Sequence, residues 1–128
     1  MTQPSIMLVD DDENILALYR LALKRKPDWK LCSAIDGERA LQLAAECDPD
    51  FVVLDVMMPD IDGIEICRRL RLQTSMANVP VVMLSAHNDP AILRAAQTAG
   101  ANDFWVKPIS PADFVNRIDR WLNRTLLA

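Results

Sequence analysis

Phe51-Val52-Val53-Leu54-Asp55-Val56-Met57-Met58-Pro59 places a carboxylate directly behind four apolar residues. A carboxylate that ends a buried strand is costly unless it has a partner or a task. The chain repeats the arrangement on either side of this stretch. Ile6-Met7-Leu8-Val9 runs into Asp10-Asp11-Asp12, Val81-Val82-Met83-Leu84 into Ser85, and Phe104-Trp105-Val106 into Lys107-Pro108. Acids, a hydroxyl and an amine thus stand at the carboxyl ends of apolar strands. This is the chemistry that holds a divalent cation and a phosphoryl group.

Apolar runs recur near residues 6–9, 29–35, 51–54, 80–84 and 103–106, with helical periodicity between them. Short apolar runs alternating with helices indicate βα units, a parallel sheet and an α/β fold. Right-handed crossovers make the sheet doubly wound. The run from Trp29 to Ile35 mixes apolar and polar residues, as an edge strand does; the others are continuously apolar, as central parallel strands are.

The helices carry their own punctuation. The first begins near Glu13, with Ile15, Leu18, Tyr19 and Ala22 on one face, and ends in Lys24-Arg25-Lys26 before Pro27. Asp36 suits the N-cap of the second, whose inward residues are Ala40, Leu41 and Ala44. Asp62 with Glu65 resembles a capping box for the third. Asp89-Pro90 opens the fourth and Gly100 closes it. Ser110-Pro111 opens the fifth, with Phe114, Ile118, Trp121 and Leu122 facing inward.

The 128 residues suit one domain, 1–128, with a sizeable core. Hydrophobic residues make up 51% and charged residues 25%, a soluble balance, and a net charge of −4 argues against a sequence-independent grip on nucleic acid. Cys32, Cys47 and Cys67 are odd in number and widely spaced, and read as reduced thiols of a cytoplasmic protein. No apolar run approaches the ~20 residues of a membrane span, and Met1-Thr2-Gln3-Pro4 does not open a signal peptide.

In a doubly wound sheet the ligand crevice lies outside the carboxyl ends of the strands. Asp10, Asp11, Asp55, Ser85 and Lys107 all fall there. Clustered acids repel, and a hard cation such as magnesium relieves them by taking carboxylates, a carbonyl and waters. Lys107 faces these acids, so a resting salt bridge to Asp55 is expected, and its ammonium would also clamp a phosphoryl oxygen. Ser85 would hydrogen-bond the same group. Asp55, central among these residues, is the candidate acceptor of a phosphoryl group as an acyl phosphate. Taken singly, the acid triplet suits a helix cap, the lysine a surface charge and the serine a turn. Their combination favours the phosphoryl site.

These motifs resemble the receiver domain of two-component response regulators, the CheY-like group. The matching segments are Ile6-Met7-Leu8-Val9-Asp10-Asp11, Leu54-Asp55-Val56-Met57-Met58-Pro59 with Asp62-Gly63, Leu84-Ser85-Ala86, Gly100-Ala101 and Val106-Lys107-Pro108. The resemblance covers essentially the whole chain. It implies a flavodoxin-like five-stranded sheet in the order 2-1-3-4-5. It implies that Asp55 is the phosphoacceptor and Asp11 a direct magnesium ligand, with Asp10 its acidic neighbour acting through water. The Met57 carbonyl would complete the protein's share of the metal site, which manganese would also suit. Ser85 would be the switch hydroxyl, Lys107 the phosphate-binding lysine and Phe104 the switch aromatic. The Lys107-Pro108 peptide is expected to be cis. The phosphodonor would be a histidine kinase or phosphotransfer protein, and the protein would catalyse its own phosphorylation and dephosphorylation. The fourth helix, fifth strand and fifth helix would form the output surface, open to a partner or to a second copy. His87 reads as a solvated loop residue, not a phosphodonor.

Three other functions fit the fold less well. A flavin carrier wants a Ser/Thr/Gly-rich phosphate loop after the first strand, where this chain has Asp10-Asp11-Asp12-Glu13. A haloacid-dehalogenase-like phosphatase wants a second acid two residues after its nucleophile, where this chain has Met57. A pseudoreceiver usually loses an acid or the lysine, and none is lost here.

Overall fold

The structure is a computed structural model and describes residues 3–127, with side chains through residue 124. The reading of the N-terminus falls partly on Met1 and Thr2, outside the described residues. Five strands, β1 (Ser5–Val9), β2 (Lys30–Ala34), β3 (Phe51–Asp55), β4 (Val81–Ser85) and β5 (Asp103–Val106), alternate with five helices. The helices are α1 (Glu13–Leu23), α2 (Gly37–Cys47), α3 (Gly63–Leu70), α4 (Pro90–Ala99) and α5 (Pro111–Leu127); a 3-10 turn covers Thr74–Met76. All pairings are parallel, in the order β2-β1-β3-β4-β5.

Strand alternation divides the core into two layers. Met7, Val9, Val52, Leu54, Val81 and Met83 face α2, α3 and α4. Ile6, Leu8, Phe51, Val53, Val82, Leu84 and Trp105 face α1 and α5. Every residue of β1, β3 and β4 is buried, as central strands require, whereas β2 is partly exposed. Trp105 packs edge-on against Phe114 of α5 with centroids 6.1 Å apart, while Phe104 lies half-buried on the α4 side.

Aspartates open four helices. Asp12 accepts from the Asn14 and Ile15 amides, and Asp36, Asp62 and Asp89 accept from the amides of Arg39, Glu65 and Ile92. Each satisfies an N–H that the helix leaves without a partner. Ser110 Oγ does the same for Asp113 N at 3.1 Å. Gly100, at φ 104°, closes α4.

At the opposite end of the sheet from the acids, Arg71 gathers several segments. Its guanidinium donates to the carbonyls of Met76 (2.7 Å), Val79 (2.6 Å) and Gly100 (2.8 and 3.1 Å) and to Asn102 Oδ1 (2.7 Å). Asn102 Oδ1 also accepts from Val81 N at 2.8 Å. The C-terminal end of α4 is thereby fastened to the end of α3 and the start of β4. Along α4 itself only Ala96 is fully buried.

Several details differ from the sequence-based expectation. Leu18 is 47% exposed, and the buried face of α1 is Leu16, Tyr19, Ala22 and Leu23. The cap at Asp12 sets the phase of the helix. Tyr19 then stacks on Phe114 at 3.9 Å and donates its hydroxyl to Ile109 O at 3.2 Å, which turns Leu18 outward. In α2 the inward residue beside Ala40 and Ala44 is Leu43, with Leu41 half-buried. In α5, Val115 joins Phe114, Ile118 and Leu122 in the core, and Trp121 only flanks it. β2 is shorter than the apolar run, leaving Trp29 and Ile35 outside it.

The cysteines require a correction as well. Cys32 of β2 and Cys47 of α2 form a disulfide, Cα atoms 6.8 Å apart, and only Cys67 is free. They are not three reduced thiols. The pairing arises because α2 crosses back over the edge strand, a proximity that a 15-residue spacing does not announce.

Candidate functional site

The site residues stand where backbone ladders run past the strands. Asp10 N donates to Ala34 O at 3.2 Å, Val56 N to Leu84 O at 3.3 Å and Lys107 N to Ser85 O at 2.8 Å. Those bonds fix the spacing of three pairs of neighbouring strand ends, and Asp10, Asp55, Ser85 and Lys107 stand at the same edge of the sheet. The peptide joining Lys107 to Pro108 is cis, as expected. Gly63 presses on the floor of the crevice: its N–H donates to Val56 O at 2.8 Å, and a Cβ there would collide with the Asp55 carbonyl oxygen.

Carboxylate oxygens of Asp10, Asp11 and Asp55 lie within 4.8 Å of one another. Asp10 and Asp55 are buried, at 4% and 5% exposure, whereas Asp11 is open to solvent. Lys107 Nζ donates to Asp10 Oδ2 at 3.2 Å and to Asp55 Oδ1 at 3.3 Å. Asp10 Oδ1 accepts from Asp12 N at 2.9 Å. Burial and the charge of Asp10 push the Asp55 carboxyl up to about 6, against the pull of Lys107. Burial opposes the charge on Lys107, but the two carboxylates outweigh it and hold the ammonium above its usual range. A crowded carboxylate with a raised pKa is one that an added cation would relieve. Three hard oxygen donors, one facing water, suit an oxygen-seeking divalent ion that keeps waters of its own.

Ser85 is 1% exposed, and its hydroxyl accepts from His87 N at 3.0 Å. Met57 is exposed at 56%, so its side chain is not needed by the core. His87 is exposed, as anticipated. The expected Lys107–Asp55 pair is present, but the equally close pair to Asp10 was not anticipated. An apolar run ending in consecutive acids does not reveal which of them turns inward. Burial selects Asp10 for the lysine, leaves Asp11 toward solvent, and turns Asp12 into a helix cap. Sequence reasoning also missed Asp60, whose carboxylate accepts from Gly37 N at 3.0 and 3.2 Å and from Glu38 N at 3.4 Å. No sequence signal marks a loop acid as the cap of a helix that ends before it.

Comparisons with known proteins agree with this arrangement. The family model described as response regulator receiver domain matches residues 6–119. The alkaline phosphatase synthesis transcriptional regulatory protein PhoP of Bacillus subtilis is 39% identical over 123 residues, covering 96% of this chain and 50% of PhoP. The transcriptional regulatory protein AfsQ1 of Streptomyces coelicolor is 38% identical, covering 94% and 52%. The chain therefore spans about half the length of the curated relatives it matches. Among solved structures, the Vibrio cholerae chemotaxis protein CheY4 superposes with TM-score 0.87 at 26% identity, covering 93% of this chain and 98% of CheY4. With the sheet order, the acid–lysine crevice and a family match over most of its length in agreement, the chain belongs to the response regulator receiver domain family.

Proposed function

We propose that this chain, as one receiver unit over residues 1–128, is a phosphoacceptor switch that accepts a phosphoryl group on Asp55 from a phosphohistidine. The observation that carries the reading is the single ammonium of Lys107 shared between Asp10 and Asp55, beside Asp11. Asp55, Asp11 and the Met57 carbonyl would hold magnesium, or manganese, with Asp10 bonding to a water of the ion. Bound there, the ion would neutralise charge on the phosphoryl oxygens.

The protein's own residues do the rest. A carboxylate oxygen of Asp55 attacks phosphorus, and the O–P bond forms as the P–N bond to the donor imidazole breaks. The bonding pair leaves with the imidazole nitrogen. Lys107 moves from ion pairing in the resting state to holding a phosphoryl oxygen, so its charge is never without a partner. Ser85 Oγ, which accepts from the His87 amide in the resting state, donates its proton to another phosphoryl oxygen. Hydrolysis of the acyl phosphate by water returns the carboxylate, so the protein catalyses both its charging and its reset.

The donor would be a histidine kinase or phosphotransfer protein, and the setting the cytoplasm. Among the described residues no helix is long and apolar enough to cross a membrane. The net charge of −4 favours a protein partner over direct nucleic-acid binding by this unit. The surface of α4, β5 and α5 would carry the output, to a partner or to a second copy of the chain.

Intact-mass measurement after treatment with phosphoramidate and magnesium tests the assignment. Wild type should gain one phosphoryl group and Asp55→Asn none. Equal labelling of the two proteins would rule Asp55 out.

A further inference from the structure

We infer that Asp60 is a positioning residue for the metal site, holding the loop that carries the Met57 carbonyl against the first turn of α2. This rests on the metal site proposed above. Residues 56–62 join β3 to α3, and the loop is fixed at two places. At its far end Gly63 N donates to Val56 O at 2.8 Å, closing the loop on itself. At its middle the Asp60 carboxylate accepts from Gly37 N at 3.0 and 3.2 Å and from Glu38 N at 3.4 Å.

The docking is steric as well as polar. A Cβ on Gly37 would stand 2.8 Å from Ile61 Cβ and 3.2 Å from Ile66 Cδ1, so only glycine lets the helix backbone come this close to the loop. The first turn of α2 thus has two aspartates serving it. Asp36, the residue before the helix, accepts from Arg39 N at 2.8 Å, within its own helix. Asp60 reaches from a different loop, 23 residues away, and takes the N–H groups that Asp36 leaves over. The helix thereby gains two further satisfied N–H groups, and the loop gains a fixed point three residues from Met57. Backbone N–H groups of Ile61, Gly37 and Glu38 hold the Asp60 carboxyl below the usual carboxylate range, so it remains an acceptor at neutral pH.

A carbonyl ligand contributes most when its backbone is already in place, because ordering a loop on binding costs conformational entropy. Residues behind a ligand set tune metal affinity without touching the ion. Coupling of this kind is reciprocal: if Asp60 prepares the loop for the cation, the cation must also steady the first turn of α2.

The experiment compares Asp60→Ala, Asp60→Asn, Asp36→Ala and Gly37→Ala with wild type, by calorimetric titration with magnesium and by amide exchange at Gly37 and Glu38. Asp60→Ala should weaken magnesium binding about tenfold. Asp60→Asn, which keeps an oxygen acceptor, should restore most of it. Asp36→Ala should lower the melting temperature yet leave magnesium affinity within about twofold of wild type, because it removes a cap without touching the loop. Gly37→Ala should weaken magnesium by pushing the loop away. In wild type, magnesium should slow exchange at Gly37 and Glu38, and in Asp60→Ala this effect should vanish. Unchanged magnesium affinity in Asp60→Ala, or equal losses in Asp60→Ala and Asp36→Ala, would overturn the role of Asp60 while leaving the metal site standing. A wild-type protein that binds no magnesium would overturn the site itself.

Discussion

Asp10 Oδ2 accepts from Lys107 Nζ at 3.2 Å, across 97 positions of sequence. The same ammonium lies 3.3 Å from Asp55. One cation thus offsets two buried anions, and the crevice is under-neutralised by design of its residues. Lys107→Met should leave both carboxylates without a counter-charge and lower stability by about 3 kcal/mol at pH 7 without metal. Denaturant unfolding in EDTA measures this. An unchanged midpoint would mean that solvent already screens the acids.

The pH dependence follows from Asp55, whose pKa rises from 3.8 to about 6 on folding. Between those values the folded state holds more protons than the unfolded chain, so stability falls as pH rises through that window and the loss is complete above about 6. Its size is on the order of 3 kcal/mol. Asp55→Asn should therefore melt higher than wild type at pH 7 in EDTA, and the gap should close by about pH 4. Melting curves at intervals across this range check the sign; a gap that widened toward acid would contradict it.

Asp11 and Asp10 should separate in a metal titration. Asp11 faces solvent with its carboxylate free to take the ion, while Asp10 is buried and engaged by Lys107 and Asp12 N. Asp11→Ala should abolish magnesium binding, and Asp10→Ala should reduce it less. Calorimetry that finds Asp11→Ala equal to wild type would remove Asp11 from the ligand set.

The switch should depend on Ser85 after phosphorylation rather than for it. Its hydroxyl accepts from His87 N at 3.0 Å and still has its own proton to donate as it moves toward a phosphoryl group on Asp55. Phe104 lies half-buried on the α4 side, where it can turn inward as the hydroxyl leaves. Ser85→Ala should accept phosphoryl from phosphoramidate yet show less change in amide exchange over α4 and β5. If exchange there responds as in wild type, the signal leaves by another route.

The disulfide predicts a thiol count. Unfolded without reductant, the protein should expose one reactive thiol, Cys67, and after reduction three. Breaking the Cys32–Cys47 bond should cost about 2–3 kcal/mol for a closed loop of this length. Three thiols before reduction would mean that the bond does not form in solution.

Much of this molecule was legible in its sequence because the relevant signals are local. Asp55, Ser85 and Lys107 each stand at the end of an apolar run, and parallel topology brings such ends together without further information. Caps at Asp36, Asp62 and Asp89 depend on residues three positions away. What stayed hidden depends on rotation or on distant segments meeting. Which of Asp10, Asp11 and Asp12 points inward is set by where β1 ends. The phase of α1 is set by Asp12 and Tyr19. The Cys32–Cys47 and Asp60–Gly37 contacts need the whole fold before either pair becomes neighbours.

The fastening of α4 by Arg71 has a geometric outcome. A helix of 10 residues is about 15 Å long. With its C-terminal end held through Gly100 and Asn102, displacement along it grows linearly from that pivot. A tilt of about 10° would carry the Pro90 end some ~2.5 Å while leaving Gly100 nearly still. The end that sweeps is the one joined to Ser85 by the short segment Ala86-His87-Asn88-Asp89. A change at the serine is therefore delivered to the end of α4 that is free to move, and it dies away along the helix toward Gly100.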